Sequence, residues 1–103
     1  MVETVTRKRI EILVDTPLVP RSTGHIKAVG IPGWSVIHVD SGGGRAGQWQ
    51  HDDVTGAAAK TIVLAVASTE KADRLVDALA PLLDSYGLLL TIGDVQVVRG
   101  ERF

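Results

Sequence analysis

Polar and apolar residues alternate along Lys8-Arg9-Ile10-Glu11-Ile12-Leu13-Val14-Asp15, which sets Ile10, Ile12 and Val14 on one face and predicts a strand. Thr16-Pro17 breaks the run. A helix is expected over Val19 to Val29, carried by the rough helical spacing of Leu18, Ser22, Ile26 and Val29. Pro20 and Gly24 weaken that pattern. Gly30-Ile31-Pro32-Gly33 reads as a turn and Trp34 to Asp40 as a second strand. The sixteen residues from Ser41 to Gly56 hold five glycines and little apolar content, so they predict a long functional loop at about 41–57. Lys60 to Ala67 is the clearest strand, an unbroken apolar run from Ile62 to Val66. Ser68 or Thr69 can then cap a helix, with Glu70 in its first turn. Ala72, Leu75, Val76, Leu79, Leu82, Leu83 and Tyr86 continue at helical spacing, and Pro81 is expected to kink or end the regular part. Leu88 to Ile92 and Val95 to Val98 form the last strand region, joined through Gly93-Asp94 in what reads as a bulge or bend.

The order is β-α-β-β-α-β. With right-handed crossovers it gives an α+β fold, the ferredoxin-like sandwich of a four-stranded antiparallel sheet with two helices on one face. Yet the third strand is apolar on both faces and the fourth nearly so. An uncovered apolar face costs roughly 25 cal/mol for each Å² left in water. Packing against other subunits removes that cost, so a homo-oligomer is expected; the competing solution is a face covered by the long loop.

Composition narrows the class. A chain of 103 residues forms one domain, spanning 1–103, and a domain this small gains from a partner subunit. Apolar residues make up 45% and charged residues 22%, an ordinary globular balance. The formal charge of −1 argues against nucleic-acid binding, which usually brings a basic excess. The absence of cysteine removes disulfides, thiolate metal sites and Cys nucleophiles. No apolar run reaches the roughly 18–20 residues of a membrane span, and Met1-Val2-Glu3-Thr4-Val5-Thr6 lacks the apolar stretch of a signal peptide. A soluble cytoplasmic protein is the expectation.

Gly42-Gly43-Gly44-Arg45-Ala46-Gly47 follows a strand and is the main chemical signal. Glycines let backbone N–H groups converge on phosphate oxygens, and Arg45 adds a charged fork. Neither the P-loop nor the Rossmann fingerprint fits, so a flexible hinge and an anion cradle both stay open. His38, His51, Asp52 and Asp53 offer metal-ligand chemistry, but their spacing matches no zinc signature. His25 is weaker still. Ser22, Ser35, Ser41, Ser68 and Ser85 are scattered, and none lies in a G-x-S-x-G elbow, so the chain does not read as an enzyme. RNA-recognition domains share the element order but stack bases on aromatics of two central strands, and the first and third strands here have none. Arg99 and Arg102 follow the last strand, either as a solvated tail or as completion of an anion site with the glycine loop of the same or a neighbouring subunit.

The stretch from Gly30 to Gly47 resembles the PII signal-transduction family, with its G-I-x-G-x-T-V-x-x-V-x-G-x-G-x-Q-x-G pattern. Gly30, Ile31, Gly33, Val36, Val39, Gly43 and Gly47 match in place, while Ser35 stands for Thr and Arg45 for Gln. The resemblance implies a trimer that binds adenine nucleotides in clefts between subunits and signals through the long loop between strands two and three, the T-loop. The family's second glycine loop, T-G-x-x-G-D-G-K, has no intact counterpart, because Tyr86 to Asp94 keeps glycines but lacks the lysine. Tyr86 is the only tyrosine, so the long loop has none to modify. These departures point away from glutamine-synthetase control and 2-oxoglutarate sensing, toward the PII-like branch associated with inorganic carbon, bicarbonate transport and carboxysomes.

On that resemblance the nucleotide set is Ser35, Gly42, Gly43, Gly44, Arg45, Gly87, Leu88, Leu89, Arg99 and Arg102. The bicarbonate set is Gly43, Gly44, Arg45 and Gln48. The implied ligands are ADP or AMP, favoured over ATP because the missing lysine leaves a terminal phosphate without a partner, together with bicarbonate and without any required metal. The implied protein target is a bicarbonate transporter or a carboxysome-associated protein. The alternative is a trimeric divalent-metal-binding protein resembling the cation-tolerance family, supported by His51-Asp52-Asp53.

Overall fold

Alternation in the first strand extends further than its apolar residues. In the computed structural model, which describes residues 2–44, 47–50 and 59–99, β1 runs over Thr4–Asp15. It pairs with β5 (Lys60–Ala67) on one side and β6 (Leu89–Val98) on the other, both antiparallel. The short β2 (Ser35–His38) adds to β5, giving the order β2-β5-β1-β6. Helices α1 (Val19–Ala28) and α2 (Thr69–Tyr86) complete the expected α+β arrangement.

One face of the sheet carries the core. Ile10 is opposite Ala65, Ile12 opposite Val63 and Val14 opposite Thr61, all buried. Against them α1 buries Ser22 and Ile26, and α2 buries Ala72, Leu75, Leu79 and Leu82, the helical stripe expected from the sequence. Ser68 is the N-cap of α2: its Oγ accepts a 3.3 Å hydrogen bond from the Lys71 N–H. Arg74 and Glu70, one turn apart, form a 2.5 Å ion pair on the exposed side.

Four expectations are corrected. Pro81 does not end α2, which continues to Tyr86; the ring is solvent-exposed, and only the single bond an N–H at 81 would give is lost. Gly93-Asp94 makes no bulge, since the β1–β6 register is unbroken from Thr4↔Val98 to Leu13↔Leu89, with Arg9 opposite Gly93. β1 begins at Thr4 rather than Lys8. Its first residues pair with the end of β6 through a side-chain ladder in which Thr4 Oγ1 donates to Gln96 Oε1 at 3.0 Å and Gln96 Nε2 donates to Thr6 Oγ1 at 2.9 Å. Finally, the expected loop at about 41–57 contains structure: β3 (Ser41–Gly44) and β4 (Gly47–Gln50) pair as a separate two-stranded antiparallel ribbon.

The second face of the sheet is left open by both helices. Ile37, Ile62, Leu13 and Leu89 form one apolar row across all four strands, and Leu64 and Val66 extend it. Ile37 is 46% exposed and Leu89 56%. No helix among the described residues is long and apolar enough to cross a membrane.

Candidate functional site

Three consecutive glycines hold extended structure here because they are paired. Gly42 is opposite Trp49, Gly43 opposite Gln48 and Gly44 opposite Gly47. A Cβ on Gly43 would lie 3.6 Å from Gln48 Cγ, an ordinary contact, so the Gln48 side chain rests beside bare backbone. The ribbon therefore brings Gly42, Gly43, Gly44 and Gln48 together. Arg45 lies outside the described residues, as do His51, Asp52 and Asp53. Among the described residues no three His, Asp or Glu side chains converge as a metal-binding group.

The second glycine segment follows α2. Gly87 has φ 63° and ψ 37°, and its N–H donates to the Leu83 carbonyl at 3.2 Å, so it terminates the helix in the left-handed conformation. Leu88 packs against the core, whereas Leu89 opens β6 on the uncovered face. A Cβ at Gly87 would meet nothing within 4 Å, so the cost of a side chain is backbone strain alone. Gly87→Ala should therefore lower stability by about 1–2 kcal/mol. A urea midpoint equal to the parent's would refute this capping role.

Both glycine segments lie at one end of the sheet. β2 ends at His38 opposite Thr61, Thr61 is opposite Val14, and β6 starts opposite Leu13. The half-buried Thr16 and the buried Thr61 tie this end together: their Oγ1 atoms are 2.9 Å apart, and Thr16 Oγ1 also donates to the Ala59 carbonyl at 3.1 Å. Sequence reading passed over this pair, because a threonine in a strand normally reports only β-propensity.

Ser35 opens β2 on the uncovered face, opposite Leu64. Arg99 follows β6 with φ 61°, a left-handed backbone that is uncommon for a non-glycine residue. Leu89 and Val98 bound β6, and the nine residue steps between them span about 30 Å at ~3.3 Å each, so Arg99, just beyond Val98, lies at least about that far from Leu89 within one chain. The fold thus sets the two glycine segments at the same end of the sheet but on its opposite edges, and Arg99 at the other end. Arg102 lies outside the described residues.

The first residues of the Gly30–Gly47 stretch are structural. Gly30 has φ 86°, and its carbonyl accepts a 2.9 Å hydrogen bond from Lys71 Nζ. Ile31 is buried, with its N–H on the Ile26 carbonyl at 3.2 Å. Lys27 Nζ lies 5.2 Å from the centroid of the Trp34 ring, within cation–π range.

The family profile described as nitrogen regulatory protein P-II matches residues 7–102. This chain belongs to that family. It is a P-II-type regulatory protein. CPII, a nitrogen regulatory PII-like protein from Thiomonas intermedia K12 bound to ADP, AMP and bicarbonate, superposes with a TM-score of 0.90 at 20% identity, covering 100% of this chain and 98% of that one. CPII bound to ADP, AMP and acetate gives 0.81 at 18% identity, with 99% and 98% covered. A PII-like signalling protein from Thermus thermophilus gives 0.84 at 22% identity, with 98% of each chain covered. No curated protein matches the sequence. At these identities the structural likeness establishes the shared fold.

Proposed function

We propose that this P-II chain is a non-enzymatic sensor of adenine nucleotides, acting as a homotrimer with its ligands in the clefts between subunits. ADP or AMP binds in preference to ATP, and bicarbonate binds beside the nucleotide. Ser35, Gly42, Gly43, Gly44, Arg45, Gly87, Leu88 and Leu89 come from one subunit. Arg99 and Arg102 come from its neighbour, and Gly43, Gly44, Arg45 and Gln48 hold the bicarbonate. The segment at about 41–57 then changes its presentation to a target protein of inorganic-carbon metabolism, either a bicarbonate transporter or a carboxysome-associated protein.

The observation that carries this reading is the P-II match over residues 7–102, joined to a fold shared with CPII in its ADP, AMP and bicarbonate complex. Two features of the chain support it. The glycine ribbon and the Gly87 segment occupy one end of the sheet, where backbone N–H groups suit phosphate and carboxylate-like oxygens. Arg99 sits at the opposite end, so a second chain is the natural source of a cation for those anions. The P-II match also supports this reading over that of a divalent-metal-binding trimer.

Isothermal titration calorimetry with ADP, AMP and ATP, each with and without bicarbonate, tests the proposal. The expected result is saturable binding of ADP or AMP that tightens with bicarbonate, and weaker binding of ATP. Absence of adenine-nucleotide binding in both conditions would overturn it. Thermal stabilisation by divalent cations alone would favour the metal reading, since only a ligand that prefers the native state raises the midpoint.

A further inference from the structure

Gly93 stands in the middle of β6, at the sheet edge, where a glycine weakens a strand. Its backbone does not require glycine: among the described residues only Gly30 and Gly87 are glycines with positive φ, and Gly93 is in regular register opposite Arg9. Nor would a side chain clash, because a Cβ there would meet nothing within 4 Å. What glycine provides at this position is space. It floors a depression of about 350 Å³ on the uncovered face, lined among others by Arg9, Glu11 and Thr91.

Asp94, which also lines this space, is paired with Lys8 at 2.6 Å; the other charged side chains there are Arg9 and Glu11. They share the uncovered face, two residues apart on β1, and Arg9 Nη2 lies 2.6 Å from Glu11 Oε1. Their cross-strand neighbours on β5 are Val66 and Leu64, so the ion pair is embedded in the apolar face that subunit packing would bury. A half-satisfied ion pair buried in such a face is expensive. Arg has five N–H donors and a carboxylate has about four acceptor sites, so one shared bond leaves most of both groups unpaired. In a cyclic trimer each subunit meets the next with the same relative placement. Such a contact is heterologous, so where the patch flanks the threefold axis the base of one subunit can meet the acid of the next.

We infer that the Gly93 notch of one subunit receives the Arg9 guanidinium of the next, which bonds to that subunit's Glu11 and closes a ring of three alternating ion pairs. The occupant is a second copy of this chain, and the inference rests on the homotrimer proposed above. The ring fixes the register in which the apolar faces meet, because a slipped arrangement would bury an uncompensated charge.

Sedimentation equilibrium over a range of protein concentrations tests it, with circular dichroism as the check on folding. The wild-type mass reads the trimer proposal by itself, and a monomeric wild type would overturn both. With a trimeric wild type, Gly93→Val should keep or raise the stability of the fold, since valine suits a strand and meets no clash, yet dissociate at a concentration at least about tenfold higher. Arg9→Glu and Glu11→Arg should each dissociate likewise, and the double exchange Arg9→Glu with Glu11→Arg should recover most of the loss. A Gly93→Val chain that assembles like the parent would overturn the inference. So would a double exchange no better than either single change. Saturable stabilisation by inorganic phosphate that Arg9→Glu abolishes while assembly stays unchanged would assign the notch to a free anion instead, and would equally overturn it.

Discussion

An Ile62→Glu chain is expected to remain folded and sediment as a monomer at concentrations where the parent forms the proposed trimer. Ile62 is paired to Ile37 on one side and to Leu13 on the other, at the centre of the apolar row on the uncovered face. The helix-side core of Ile10, Ile12, Val14, Val63, Leu75 and Leu79 lies across the sheet and is untouched by a change at this position. Packing such a face stabilises an assembly by roughly 25 cal/mol per Å² of apolar surface removed from water. A carboxylate at its centre would have to be desolvated without a partner, at several kcal/mol for each subunit. The penalty thus falls on association and spares the fold. Sedimentation velocity gives the mass and circular dichroism the fold. A variant that stays trimeric would show that the uncovered face is not where the subunits meet, whatever the ligands do.

The second large effect belongs to the core. Leu79→Ala is expected to reduce the free energy of unfolding by about 2–5 kcal/mol, the range for deleting a fully buried leucine side chain. Leu79 is 0% exposed, on the inward stripe of α2 that holds the helix against β1 and α1. For a domain whose total stability is about 5–15 kcal/mol, this is a large fraction. Urea denaturation at matched protein concentration should show a lower midpoint with little change in slope. Matching matters because assembly adds a concentration-dependent contribution to apparent stability. A midpoint unchanged within error would mean that α2 is not packed through this residue. The same variant, below its unfolding transition, should keep the proposed nucleotide binding, since Leu79 is buried in the core and belongs to neither glycine segment.

Much of the fold was legible because burial writes itself into side-chain periodicity. Ile10, Ile12 and Val14 alternate, Leu75, Leu79 and Leu82 follow helical spacing, and both patterns appear in the core as read. What escaped the sequence lacked that imprint. β3 is mostly glycine, and a strand without side chains has no alternation to detect. The start of β1 is held by the polar Thr4–Gln96–Thr6 ladder, which looks like loop composition when the partner strand is unknown. Gly93 looked like a break because glycine usually marks one, whereas here it stays in register. The candidate site divides in the same way. Glycine clusters flagged two segments that the fold sets at one end of the sheet, on its two edges. Position along the chain, however, said nothing about distance, and Arg99 ends up about 30 Å away along β6. Part of the family-like stretch proved structural, since Gly30 and Ile31 serve the turn after α1 rather than a ligand.

The chain leaves the sheet after β2 and returns at β5 through a narrow gate. The Val39 N–H donates to the Lys60 carbonyl at 3.2 Å, and the Thr16 N–H holds the adjacent Ala59 carbonyl at 3.0 Å. With both ends pinned in the sheet, lengthening the connection between them costs closure entropy of only about 0.6 kcal/mol for each doubling, and the β3–β4 ribbon within it is a sheet separate from the main one. Changes of length or sequence between β2 and β5 therefore leave the pairing of the four-stranded sheet and its core in place. A scaffold built this way can acquire a new binding specificity in that segment without renegotiating its core.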